Sequence, residues 1–304
     1  MADATLPGSR SGALGLGVDL LAAVMWGFTG IIVTYAGAAP FVLTFYRLWI
    51  SVALMLVVLF LRHRRLPWRA VLYAVPSGLL LCANLTCYVF AFRLTSITDA
   101  SVIGALQPAL VLIMAGMLLG EMVGVREVAL TVTAIAGVAG VVAAAPAALG
   151  VHGKGDLAAV LGTLAFSGYW IFAKSARQRI PTLEFMSGVW LVAAIAITPV
   201  ALFARESFAA TPGEWPWIVA LGVVPGVGHV LMNWGHRFVA ASVSAVIGIL
   251  NAPVAAVAAA IILGQALSAI QILCGVVAVT AIALVAKGRP KTAEEAVDPV
   301  GVAD

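Results

Sequence analysis

The amino-acid sequence predicts an all-α integral membrane protein of ten transmembrane helices, arranged as two inverted five-helix repeats. Three observations carry that prediction. The 304 residues are 63% hydrophobic and only 10% charged, with a mean hydropathy of +1.10; soluble domains run at about 45–50% apolar and about 25% charged. Ten runs of mostly apolar residues are each long enough to cross a hydrocarbon core of about 30 Å as a helix. One stretch also occurs twice, as RLTSITDASVIGALQPALVLIMAGMLLGE at 93–121 and as RFVAASVSAVIGILNAPVAAVAAAIILGQ at 237–265.

The spans run near 15–36, 40–61, 69–92, 97–119, 127–148, 157–178, 183–204, 216–238, 241–263 and 268–287. Most connections are very short, so no domain outside the bilayer is expected. Residues 1–14 read as a cytoplasmic N-terminal segment, 15–148 and 157–287 as the two repeats, and 288–304 as a polar, disordered cytoplasmic tail. Ala36-Gly37-Ala38 would suit signal-peptide cleavage. The run before it is too long for an h-region, the leading segment is poorly basic, and the first repeat needs this span.

With the N-terminus inside, 13 of the 17 Lys and Arg residues fall on the cytoplasmic side. Only Arg93, Lys154 and Arg205 fall on the other, and Arg47 lies within span two. A cytoplasmic Lys/Arg excess sets orientation, so a multi-pass protein of the cell membrane with both termini cytoplasmic is expected. The same topology accounts for the pI near 9.2 and net charge of +4 without a nucleic-acid partner. Cys82, Cys87 and Cys274 lie inside apolar runs and read as packing residues rather than a disulfide framework.

At a constant offset of 144, Arg93 meets Arg237, Val102-Ile103-Gly104 meets Val246-Ile247-Gly248, Leu106 meets Leu250, and Leu119-Gly120 meets Leu263-Gly264. Pro108 and Pro253 follow, one place out of register. Pro40 and Trp49 parallel Pro181 and Trp190 at an offset of 141. Pro67-Trp68, Pro76 and Asn84 parallel Pro216-Trp217, Pro225 and Asn233 at 149. Five spans is an odd number, so the second unit enters from the opposite side, with Arg93 outside and Arg237 inside. Repeats related in this way place a carrier's site at the midplane between them.

The AAVMWGFTGI of span one, the FYRLW of span two and the paired VIGxL…LG(E/Q) stretches resemble the drug/metabolite transporter superfamily, in its EamA-type ten-helix branch, over roughly residues 15–287. Two departures are Gln265, where Glu is commoner, and Phe166, where span six often carries Trp. The resemblance implies a bacterial secondary carrier, usually an exporter of small metabolites or amino acids and sometimes an importer of vitamins or nucleotide-like compounds. It also implies a cavity lined mainly by spans one, three, four, six, eight and nine.

Pro76, Pro108, Pro225 and Pro253 read as mid-helix kinks, each removing a backbone hydrogen bond. Paired interruptions of this kind point to a transporter site, although duplication would copy a packing kink equally well. Arg47 is the one cation well inside a span. An intramembrane Arg costs about 2.5–3.5 kcal/mol at a helix centre and normally faces protein or water. It can anchor a carboxylate or phosphate, or it can snorkel or pair structurally, for example with Asp99. Its repeat-equivalent residue is Gly188, so the halves are not chemically equivalent there.

Asn84, Gln107, His229 and Asn251 are the polar mid-span candidates. The amides suit a zwitterionic or polyol substrate or the backbone groups freed by the prolines; His229 suits proton carriage or ordinary packing. Trp26, Tyr88, Tyr169 and Trp170 can stack on an apolar or aromatic substrate, or simply pack. Trp68 and Trp217 fit the interfacial aromatic belt.

Asp19, Asp99 and Glu121 are acids at or within spans, all near span ends, so a midplane carboxylate relay is not expected. Transport is then facilitative, exchange-driven or coupled to a proton on His229. The expected function is alternating-access efflux of an amino acid or related metabolite, with import of a vitamin or nucleotide-like solute as the alternative. An enzyme is disfavoured because His63, His152, His229 and His236 are scattered and no HExxH or P-loop occurs. No cofactor or metal is expected. The partners expected are a small-molecule substrate and the lipid bilayer, with the chain either a monomer or a weak homodimer.

Overall fold

Inside a bilayer each backbone N–H and C=O must find its partner within the chain, and a helix does so locally. The computed structural model describes residues 8–107, 109–111, 114, 125–143, 152–177, 179–235, 247–248, 250–264 and 268–288, and the elements among them are helical. Pro108, Glu121, Gln265 and the tail 289–304 lie outside the described residues.

Helix α1 (Gly8–Gly27) starts upstream of the expected span and is separated from α2 (Thr29–Tyr35) only by a turn at Phe28. Spans two and three are α3 (Pro40–Leu61) and α4 (Trp68–Leu94). Span four begins with α5 (Ile97–Gly104), and span five is α6 (Val125–Ala143). In the second half, spans six to eight are α7 (His152–Arg177), α8 (Thr182–Phe203) and α9 (Trp215–Gly235). Spans nine and ten supply α10 (Asn251–Leu263) and α11 (Ala269–Gly288).

Among the described residues, six helical stretches are long and apolar enough to cross a membrane: Gly17–Tyr35, Pro40–Leu61, Trp68–Leu94, Gly153–Ala173, Thr182–Phe203 and Trp215–Met232. Val128–Gly137 and Ala269–Ala281, in spans five and ten, are shorter apolar helices. Spans four and nine fall partly outside the described residues. Large apolar side chains cover the exterior, among them Phe60, Phe203 and Ile261. A surface of that kind is suited to lipid rather than to water. Several hydroxyls within the spans bond back one turn, as Thr44 Oγ1 to the Pro40 carbonyl and Thr163 Oγ1 to the Ala159 carbonyl, so these add no unsatisfied donor.

The duplication is visible in the packing. Span one packs on span eight as span three packs on span six, and span two packs on eight as three packs on seven. Span four meets six as nine meets one, while two with seven, four with nine and five with ten are mates that face each other. Two halves related by a pseudo-twofold generate this pairing. Local details repeat as well. Helices α3 and α8 each have 22 residues, and two residues beyond each end the chain turns through a positive φ, at His63 (51°) and Arg205 (56°).

Of the four expected proline kinks, Pro76 and Pro225 lie inside continuous helices, as does Pro199, which the repeat did not single out. Pro253 differs from expectation. It is the third residue of α10, just after a turn at Leu250. The reason is physical: the first N–H groups of a helix have no intrahelical acceptor, so proline is tolerated there and a new helix segment begins. The turn recurs in both halves. Leu106 N donates to Ile103 O at 3.1 Å and Leu110 N to Leu106 O at 3.0 Å. Their repeat equivalents behave alike, with Leu250 N to Ile247 O at 3.0 Å and Val254 N to Leu250 O at 3.1 Å. Spans four and nine are therefore interrupted at the same place.

The largest buried cluster joins the halves: Leu48, Leu81, Tyr169, Phe185, Val189 and Trp190 come from α3, α4, α7 and α8. Small residues let these helices close together. A Cβ on Gly188 would stand 3.0 Å from the Ala70 carbonyl oxygen, and one on Gly222 3.2 Å from that of Arg47.

Candidate functional site

His229, on α9 four residues past Pro225, is 5% exposed and enclosed by rings from other helices. The Trp26 centroid lies 4.7 Å from the imidazole, that of Trp190 5.5 Å and that of Phe166 6.0 Å. Phe166 lies edge-on to Trp26 at 6.4 Å, stacks on Tyr169 at 5.5 Å and takes Trp170 edge-on at 6.1 Å. These separations suit edge-to-face and offset contacts. Trp26 Nε1 donates to the Pro225 carbonyl at 3.3 Å, and Gly228 makes room for it: a Cβ there would stand 2.9 Å from that nitrogen.

Phe166 occupies the span-six position that corresponds to Trp26 of span one. The two equivalent aromatics thus meet ring to ring where the halves face each other, with His229 against both.

Arg47, on α3, is 3% exposed, and its Nε has no hydrogen-bond partner among the described residues. Its neighbour Leu48 packs in the buried cluster that holds Tyr169 and Trp190. One turn further on, Ser51 Oγ bonds the carbonyls of both Arg47 and Gly222 at 3.0 Å, fixing α3 against α9. Of the alternatives for Arg47, a pairing with Asp99 does not form. Asp99 instead accepts from Gln271 Nε2 at 2.9 Å, because α5 faces the later helices and not α3 at this level. Snorkelling is also absent, since the whole side chain is buried.

The other candidates separate into structural and bordering residues. Asn84 is buried and donates from Nδ2 to the Gly162 carbonyl at 2.9 Å, which ties α4 to α7. Tyr88 shares a 2.9 Å hydrogen bond with Thr163 Oγ1, and its hydroxyl fills the place that a Cβ on Gly104 would take. Gln107 is half-buried, and its backbone carbonyl accepts from Ser167 Oγ at 3.5 Å. This second group therefore borders the aromatic box through α7, one residue from Phe166. Asn251 begins α10 beside α1, with its carbonyl 3.1 Å from a Cβ built on Gly27. Tyr169 is packed in the core, its hydroxyl donating to Met186 Sδ at 3.4 Å.

The structure thus brings Trp26, Tyr169, Trp170 and His229 to one centre, with span seven contributing Trp190, and leaves Arg47 buried on α3 next to Leu48 of the adjoining cluster. Phe166 and Trp190 belong to that centre and were not among the expected site residues. Their signals were present: Phe166, Tyr169 and Trp170 share one helix face at i, i+3 and i+4, and Trp190 is the repeat equivalent of Trp49. Among the described residues, no group of three or more His, Cys, Asp or Glu side chains is placed to hold a metal ion.

The EamA-like transporter family matches residues 12–143 and 153–287, one match in each half. A solved protein crystal structure superposes with a TM-score of 0.66 at 22% sequence identity, over 90% of this chain and 98% of that one. At that identity it shows the fold alone. No curated protein matches this chain. With both halves matched, the chain belongs to the EamA-like transporter family, within the drug/metabolite transporter superfamily, and is a multi-pass membrane transporter.

Proposed function

We propose that this EamA-family protein moves a small metabolite, an amino acid or related compound, across the cytoplasmic membrane by alternating access, with efflux as the net direction. Ten spans in two oppositely inserted sets of five, with both termini cytoplasmic, form the frame. This frame is supported by the repeat-related packing and by the Lys/Arg asymmetry.

The observation that carries the reading is the aromatic centre built from both halves: Trp26 from the first, Phe166, Trp190 and His229 from the second. Relative motion of the halves would open this centre to one side and then the other, and the interrupted spans four and nine flank it. Arg47 also gives some support to import of an anionic vitamin or nucleotide-like solute. Metabolite comparison between cells lacking and overproducing the protein separates the two. Efflux requires a compound that accumulates inside and is depleted outside when the protein is absent; import requires the reverse. An unchanged metabolome would count against both.

A further inference from the structure

We infer that the groove between α4 and α7, at the arginine-rich end of the bundle, binds one anionic phospholipid: an acyl chain lies in the groove, and the phosphate meets Arg179 and Arg69. The inference is independent of which cargo the protein carries.

The first ground is the groove. Leu72, Tyr73 and Pro76 of α4 and Phe172 and Ala176 of α7 enclose a volume of about 170 Å³, and Leu72, Tyr73 and Phe172 stay exposed along its rim. An apolar cleft on the outside of a membrane bundle is suited to lipid rather than to water. Its depth fits a chain as well. Trp68, exposed at the start of α4, suits the headgroup level. Leu72 and Pro76 lie four and eight residues further along the helix, about 6–12 Å deeper.

The second ground is a cation on each wall. Arg179 stands just past the end of α7, where its N–H donates to the Ala176 carbonyl at 3.0 Å. Its Cζ lies 5.8 Å from the Tyr73 ring centroid and its Nη1 3.5 Å from the Tyr73 hydroxyl, a separation that suits a cation–π contact. The guanidinium is thereby set over the groove's own wall. Arg69 precedes Leu72 and Tyr73 by three and four residues, the spacing of neighbours on one helix face. Its Cζ is 6.0 Å from the Trp68 ring, at the headgroup level.

The third ground is that both arginines are exposed and uncommitted. Glu184, the acid in the first turn of α8 at this end, is taken by Arg64 at 3.1 Å. Among the described residues, Arg69 and Arg179 form no ion pair. A phosphate diester matches a guanidinium, and basic pockets between membrane helices take anionic headgroups. A choline headgroup would bring a cation of its own against both arginines.

The test is native mass spectrometry of the purified full-length protein, titrated in detergent with phosphatidylglycerol or phosphatidylcholine bearing the same chains. The first phosphatidylglycerol is expected to bind about tenfold or more tightly than the first phosphatidylcholine. Arg179→Ala is expected to cut that preference about fivefold and to leave phosphatidylcholine binding unchanged, which also shows that the variant is folded. Arg179→Lys should keep part of the preference, having the charge without the fork. Arg62→Ala removes an exposed charge at the same end but off the groove, and should keep the preference. Phe172→Ala should weaken both lipids alike.

Equal binding of the two lipids overturns the inference, and so does an unaltered preference in Arg179→Ala. An equal fall in Arg62→Ala would show a diffuse basic surface in place of a site. Unchanged binding in Phe172→Ala would take the chain out of the groove. Displacement of phosphatidylglycerol by an equal concentration of inorganic phosphate would make this a free-phosphate site. Any of these three results also sinks the lipid reading.

Discussion

Gly30 and Ile97 join span one to the start of span four, and a double substitution there measures how tightly the two are fitted. A Cβ added at Gly30 would lie 2.7 Å from Ile97 Cγ2, 3.0 Å from Cγ1 and 3.2 Å from Cδ1. Carbon atoms prefer separations of about 3.5–4.0 Å, so Gly30→Ala forces a shift approaching 1 Å on a side chain that is 1% exposed. Ile97 cannot yield easily, because it is packed with Ile31, Ala255, Ala258 and Ala259. Overpacking of this kind costs about 1–3 kcal/mol. Ile97→Ala alone leaves a cavity and costs about 2–5 kcal/mol. It also removes all three atoms that obstruct a methyl group at position 30. Gly30→Ala in that background should then cost almost nothing, giving a favourable coupling of about 1–3 kcal/mol. Reversible unfolding in mixed micelles, titrated with a denaturing detergent, reads all four proteins. Additive costs, or a neutral Gly30→Ala, would refute the close approach of these two spans.

Glu206 Oε2 accepts from Phe41 N at 2.9 Å and Val42 N at 3.1 Å, capping the N-terminus of α3 from the other half of the molecule. Glu206→Ala is expected to lower stability by about 1–3 kcal/mol, and Glu206→Gln by less, since its amide oxygen still accepts. Equal losses in thermal unfolding would show that charge alone matters. Asn84→Ala removes the 2.9 Å bond to the Gly162 carbonyl and should cost about 0.6–1.7 kcal/mol, the range for hydrogen bonds between membrane helices. Loss of transport with unchanged stability in Asn84→Ala would return Asn84 to the substrate site.

The repeat made much of the architecture legible. An offset in sequence fixes which helices are equivalent, and equivalence under a twofold fixes which of them can pair. Trp26 and His229 were also legible, as an aromatic and an imidazole on spans that must line the interface. The structural partner suggested for Arg47 is a different case. Asp99 is the nearest acid by depth, but depth says nothing of which helix face a residue occupies around the bundle axis, and Asp99 turns to Gln271. Asn84 likewise looked available because its partner is a backbone carbonyl, and every residue carries one. Phe166 showed in the sequence as a departure from the expected Trp and as part of one helix face with Tyr169 and Trp170, whereas its place beside both Trp26 and His229 depends on three helices meeting. Pro253 was read as a kink because the spacing of apolar residues continues through it; the break comes from backbone hydrogen bonding, which hydropathy does not record.

Oppositely inserted halves are the premise of the alternating-access account, and sidedness tests them most directly. Arg65 and Ser207 are exposed and equivalent, each following the positive-φ residue past α3 or α8 by two places. Single cysteines at these positions, with Cys82, Cys87 and Cys274 replaced by alanine, are labelled by a membrane-impermeant maleimide on intact spheroplasts and again after permeabilisation. The expected result is labelling at position 207 from outside and at position 65 only after permeabilisation. Labelling of both from the same side would contradict the inverted repeat.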